Sequence, residues 1–189
     1  MALPARKLIS GKEYERLALG DPQGQFELHD GRLVEKPWMS VEHGGISFKL
    51  VRSLILQLDP SAYELRIGHG RVRRSSRSYY VPDVIVVPAE RVRALAVRPG
   101  SLDMYVDPLP FVVEIWTPST GAYDVDRKLP EYQARGDLEI WRVHPYDRRV
   151  TDWRRQPDGT YAELVFLGGV VEIPSLPGVR IDLDALFAE

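Results

Sequence analysis

Phe111-Val112-Val113-Glu114-Ile115-Trp116 is a nearly continuous apolar run with one acid inside it. Runs of this kind form strands covered on both faces, so the chain must build layers on each side of a sheet. The carboxylate within the run carries a heavy desolvation cost unless it is paired, protonated or bound to a cation. The 189 residues are 44% hydrophobic and 28% charged, enough to bury a sizeable core, which excludes disorder as the main state. That length predicts one domain spanning residues 1–189. With no cysteine, disulfides, thiolate metal centres and thiol nucleophiles are excluded. No apolar run approaches the roughly 18 residues needed to span a bilayer, so no membrane partner is expected. Met1-Ala2-Leu3-Pro4-Ala5-Arg6-Lys7 leads straight into a polar helix signal, not a secretory leader, and the expectation is a soluble cytoplasmic protein. The net charge of −2 neither requires nor excludes an anionic partner. Arg outnumbers Lys twenty to five and Asn is absent, which suits either heat adaptation or GC-rich coding.

Local signals place the elements. Ser10-Gly11-Lys12-Glu13 reads as a capping box opening a helix to Leu19, with Gly20 as its stop. Gln25–Leu28 and Arg32–Lys36 read as strands joined through Asp30-Gly31. From Val41 to Leu58, Ile46, Leu50, Leu54 and Leu58 recur every four residues, an amphipathic helix ended by Asp59-Pro60. Tyr63–Ile67, a piece around Val72 and Tyr79–Val87 read as strands, followed by a short helix over Ala89–Val97. After Phe111–Trp116 come a helix over Asp124–Arg135, stopped by Gly136, and a strand over Leu138–Val143. Val150–Arg155 and Tyr161–Phe166 form a hairpin across Pro157-Asp158-Gly159. Val170–Ile173 is the last predicted strand, and the tail ending in Leu183–Phe187 reads as irregular. Hairpins near both ends and a strand–helix–strand unit between them predict an α/β, mixed α+β domain with one central mixed sheet flanked by helices.

Few residues carry chemistry in this pattern. Glu114 is either a strand-end acid paired with arginine or a ligand for a cation. Asp83, between Pro82 and the run Val84–Val87, is either an Asx-type cap or a second carboxylate converging on Glu114 if their strands are neighbours. Two carboxylates and a backbone carbonyl make a hard oxygen site suited to Mg²⁺ or Mn²⁺. Asp124, Lys128 and Tyr132 share one helical face, either as an exposed pair or as a cation reaching that site. His43 lies on the stripe of Ile46 and Leu50, as a packed histidine or a functional one. Arg71, Arg73 and Arg74 lie in the densest basic stretch, either a solvated hairpin or a phosphate contact of which alternation lets only part share a face. No glycine-rich phosphate loop, zinc spacing or nucleophile elbow is present.

Tyr80-Val81-Pro82-Asp83-Val84-Ile85, then Val113-Glu114-Ile115-Trp116-Thr117-Pro118-Ser119, then Tyr123-Asp124 with Lys128 and Tyr132, then Glu139-Ile140-Trp141-Arg142-Val143-His144-Pro145 follow a characteristic order. In this order the chain resembles the Uma-two family of restriction-endonuclease-type proteins, within the PD-(D/E)XK nuclease-like superfamily. The hairpin Phe26–Glu35, His43 and the segment Leu176-Pro177-Gly178-Val179 extend the likeness over roughly residues 13 to 187. The resemblance implies a restriction-endonuclease-like core and a divalent cation held by Asp83 and Glu114, with the Ile115 carbonyl as a third ligand. The superfamily pattern places lysine two residues after the acid, where Trp116 stands here, and the resemblance implies that Lys128 takes its place. Pro130 is expected to restart the helix after Lys128.

The resulting expectation is a Mg²⁺- or Mn²⁺-dependent endonuclease acting on DNA. Asp83, Glu114 and Lys128 would be catalytic, His43, Asp124 and Tyr132 supporting (with Glu42 beside His43), and Arg71, Arg73 and Arg74 would bind DNA. The alternative is a catalytically inactive nuclease-fold module for DNA binding or dimerisation. A carboxylate-pair hydrolase of a non-nucleic substrate has no further signal to support it. The superfamily often acts in pairs, so the resemblance implies a homodimer.

Overall fold

The computed structural model describes residues 8–20, 26–36, 39–97, 100–119 and 127–188. The Ser10 hydroxyl accepts the Glu13 N–H at 3.2 Å and opens helix α1 (Gly11–Gly20). Strands β1 (Phe26–His29) and β2 (Arg32–Glu35) turn through Asp30 and Gly31 at φ 48° and 80°. Two successive left-handed residues match the twist of a two-residue hairpin. Ser40 caps helix α2 (Val41–Ile55) by accepting the His43 N–H at 3.2 Å. The helix ends at Ile55 instead of Leu58, in turns that precede Asp59.

The chain continues through β3 (Tyr63–Ile67), β4 (Arg71–Ser75), β5 (Ser78–Tyr80), β6 (Val84–Pro88), α3 (Ala89–Ala96), β7 (Met104–Tyr105) and β8 (Phe111–Ile115). After α4 (Leu129–Arg135) follow β9 (Glu139–His144), β10 (Arg149–Arg155), β11 (Tyr161–Phe166), β12 (Val170–Glu172), β13 (Arg180–Asp182) and α5 (Leu183–Phe187). Pro130 sits in the first turn of α4, where its missing N–H disturbs no helical bond, and Gly136 closes that helix at φ 81°. The predicted start of this helix at Asp124 lies outside the described residues.

The fold is mixed α/β as expected, but the strands divide between two sheets and a ribbon. One sheet has the order β2-β1-β5-β4-β7, the other β11-β10-β9-β8-β6-β3, and β12 pairs with β13. Tyr79–Val87, expected as one strand, is split: β5 joins the first sheet and β6 the second. At the break Pro82 has no N–H to offer a ladder, and the Val81 N–H goes to the Glu27 carboxylate at 2.9 Å. The short strand β7 was not expected, and the tail expected to be irregular instead forms β13 and α5. In that tail Asp182 caps the helix by accepting the Ala185 N–H at 3.0 Å.

The central strands β6, β8 and β9 of the six-stranded sheet are buried on both faces, as the apolar run at β8 requires. Ile46, Leu50 and Leu54 of α2 pack with Val84, Val86, Phe111, Val113 and the C-terminal elements on one face. On the other, Ile85, Val87, Val112 and Ile140 pack with Tyr132 of α4 and with Val72 and Tyr80 of the first sheet. Arg135 anchors α4 by donating to the carbonyls of Arg73, Tyr105, Val106 and Asp107 while pairing with buried Asp137 at 3.0 Å. No helix among the described residues is long and apolar enough to cross a membrane.

Two buried acids on β9 and β10, Glu139 and Asp152, share Arg154, whose Nε donates to Asp152 Oδ2 at 2.6 Å and lies 3.8 Å from Glu139 Oε1. Burial, then the charge of Glu139, push the Asp152 carboxyl up to about 7 against the pull of Arg154. Burial also raises Glu139. The native chain therefore keeps a proton that the unfolded chain sheds near 3.8, so stability falls as pH rises from about 4 to about 7. Asp152→Asn is expected to raise the urea midpoint at pH 8 relative to wild type, with the gap closing towards pH 5. A gap that is independent of pH would contradict a protonated native Asp152.

Candidate active site

Asp83 stands at the break between the sheets, one residue before β6. Its neighbour Val84 pairs with Val113, so Asp83 extends the ladder opposite Glu114. Directly opposed residues of antiparallel strands project from the same face. The Asp83 side chain is buried and fully engaged. Oδ2 accepts the Ile115 N–H at 2.8 Å and lies 2.9 Å from His43 Nε2, while Oδ1 accepts from Lys36 Nζ at 3.0 Å. Burial alone would raise this carboxyl. The charge of Lys36, the hydrogen bond and charge of His43, and Lys128 together outweigh burial and hold it well below the usual carboxylate range. His43 is buried on the first turn of α2, and its Nδ1 has no hydrogen-bond partner among the described residues.

Glu114 meets α4. Lys128 Nζ, on the turn leading into that helix, lies 3.2 Å from Glu114 Oε1, which also accepts from the Tyr132 hydroxyl at 2.5 Å. The same ammonium lies 3.0 Å from Oε1 of Glu27 on β1. Lys128 is only 2% exposed, and Glu27 is buried as well. Three carboxylates, Glu27, Asp83 and Glu114, thus surround two ammonium groups, Lys36 and Lys128.

The structure brings together Asp83, Glu114, Ile115, His43, Lys128 and Tyr132. Asp124 lies outside the described residues. Glu42, next to His43, is exposed and accepts from the Tyr146 hydroxyl at 3.2 Å. The arginines separate. Arg71 is buried, donating to the Tyr14 hydroxyl and the His69 carbonyl, so it braces the fold instead of presenting a phosphate contact. Arg73 is half-buried over the Tyr79 ring. Arg74 is exposed, 3.8 Å from Glu131 of α4. Glu27 and Lys36 were not singled out in the sequence. Alternation of Phe26, Glu27 and Leu28 in a hairpin strand reads as an acid facing solvent. The only available signal was that an N-terminal hairpin would have to be covered on its outer face.

A family model described as "Putative restriction endonuclease", Uma2, matches residues 12–184. The chain belongs to the Uma2 family. This confirms the resemblance carried by the motif order. "Uncharacterized protein sll1609" of Synechocystis is 23% identical over 176 residues, covering 92% of this chain and 96% of that protein. A crystal structure from Anabaena variabilis, described as "a putative nuclease belonging to DUF820", superposes with a TM-score of 0.74 at 19% identity. The match covers 95% of this chain and 97% of the other. At that identity the superposition establishes a shared fold.

Removing one partner of a buried ion pair typically costs about 3–5 kcal/mol. Lys128→Met is therefore expected to lower the unfolding free energy by about that amount at neutral pH. The double variant Lys128→Met/Glu27→Gln should recover part of the loss in urea denaturation. If the two losses simply add, Lys128 does not compensate Glu27.

Proposed function

We propose that this Uma2 protein is an endonuclease that hydrolyses phosphodiester bonds in DNA with a bound Mg²⁺ or Mn²⁺. The observation that carries the reading is the meeting of Asp83 and Glu114 across β6 and β8 with the Lys128 ammonium at 3.2 Å from Glu114. The donor set fits a hard dication, with two carboxylates and a backbone carbonyl as its oxygen donors. No group of three or more His, Asp or Glu side chains among the described residues is arranged to hold a metal. The protein ligands would be those the family resemblance implies, Asp83, Glu114 and the Ile115 carbonyl, with water and phosphate completing the shell, a common pattern for Mg²⁺. Bound there, the cation would supply a water of lowered pKa and neutralise charge on the phosphate.

The chain's own groups do the rest. Lys36 and His43 keep Asp83 ionised and oriented. Tyr132 fixes Glu114 through its hydroxyl. Lys128, braced by Glu27, is placed to orient an attacking water or to offset charge that develops on the phosphate oxygens. Arg74 is the basic residue of the predicted set exposed enough to meet a DNA backbone. A homodimer working in the cytoplasm completes this proposal.

One observation favours the non-catalytic alternative. Both oxygens of Asp83 are already occupied by protein donors, Oδ1 by Lys36 and Oδ2 by the Ile115 N–H with His43 close by. A nuclease fold whose acids are satisfied internally could bind DNA or a second copy without reaction.

Calorimetric titration with Mn²⁺ separates the two. Wild type should bind at millimolar metal or below and Asp83→Ala should not, whereas no heat from either protein removes the metal site. Incubated with supercoiled plasmid and Mn²⁺, wild type should nick it. Glu114→Gln should slow nicking by about a hundredfold or more, the scale of a lost cation or oxyanion contact. Intact plasmid together with salt-sensitive DNA binding would select the non-catalytic module.

A further inference from the structure

Beyond the acids, the same end of the sheet carries aromatic rings that the proposed chemistry does not use. Side chains at 112, 114 and 116 project to one face of an extended strand. Trp116 continues β8 by one residue, because its N–H donates to the Val143 carbonyl at 2.8 Å. Its Cα therefore lies two residues along from that of Glu114, about 6.6 Å at strand rise. On the parallel neighbour β9, Arg142 pairs with Glu114, and His144 is the next residue on that face. Trp116 and His144 stack at 4.1 Å with their planes 25° apart. Tyr146 stands edge-on to both, 5.7 Å from Trp116 and 6.3 Å from His144.

Two consecutive residues of α2 tie this cluster to the acids. His43 holds Asp83 at 2.9 Å, and Glu42 accepts from the Tyr146 hydroxyl at 3.2 Å. The rings are not core residues. Trp116 and His144 are half-buried and Tyr146 is 51% exposed. Burial holds the His144 ring below its ordinary value.

We infer that Trp116, backed by His144 and Tyr146, is a stacking platform for an unpaired nucleobase, so that the DNA taken at the Asp83–Glu114 site is single-stranded there. The inference rests on the nuclease reading and names its substrate class. In a duplex the base faces are covered by their neighbours and cannot reach an aromatic plane, whereas an unpaired base stacks on one whatever its identity. An aromatic surface one step from the acids therefore favours a single strand, a flap or a flipped nucleotide over intact duplex.

The test compares a fluorescein-labelled oligothymidylate with a blunt duplex of equal length, by anisotropy, in Ca²⁺ to suppress cleavage. Wild type should bind the single strand more tightly than the duplex. Trp116→Ala should weaken single-strand binding about tenfold, the usual scale for one stacked base, and leave duplex binding nearly unchanged. Trp116→Phe should keep most of the single-strand affinity. If Trp116→Ala does not fold, Tyr146→Ala, at a half-exposed position, should show the same loss of selectivity. Equal loss on both DNAs, or loss on neither, overturns the platform and leaves the nuclease reading standing. No binding of either DNA by wild type overturns both.

Discussion

A single buried ammonium links the two halves of the fold. Lys128 Nζ lies within 3.2 Å of carboxylates from two different sheets, Glu27 on β1 and Glu114 on β8. Neither acid could stay ionised at such depth without a cation, and the amine could not be buried without them. Glu27 also takes the Val81 N–H where the chain leaves one sheet for the other. The contact that makes the site electrostatically tolerable therefore also ties the five-stranded sheet to the six-stranded one.

Around that ammonium acids and bases are joined by short contacts. Asp83 is kept ionised by Lys36 and His43 and is oriented by a backbone N–H from the residue after Glu114. These hydrogen bonds hold the acid in place where the chain passes from one sheet to the other. The aromatic trio lies on the same strand ends, so acids and rings address one approach to the protein. In the proposed function the acids would meet a phosphate and its metal, and the rings a base.

Much of the scaffold was legible because its signals are local. The four-residue spacing of Ile46, Leu50 and Leu54, the Asp30-Gly31 turn and the Gly136 stop each act within a few residues of themselves. The apolar run at Phe111–Ile115 announced a strand covered on both faces, and Glu114 stood out within it. Tyr79–Val87 misled for the same reason. All but Pro82 and Asp83 are strand formers, and Pro82 together with the Glu27 carboxylate that takes the Val81 N–H marks where the chain changes sheets. Arg71 reads as part of a basic patch until the Tyr14 hydroxyl and a carbonyl are found around its guanidinium. Glu27 and Lys36 stayed hidden because hairpin alternation places such residues towards water unless something from far along the chain covers them.

The residue order by itself determined that there is a doubly covered strand with an acid in it, a second acid after a proline, and a lysine close to the following helix, because these follow from patterns a few residues long. Only the tertiary structure decided that the acids face one another, that Glu27 and Lys36 join them, and that the tryptophan beyond Glu114 stacks on a neighbouring strand. Pairing between strands depends on burial and hydrogen bonding between segments dozens of residues apart. Those free energies exist only once the sheets have closed on each other.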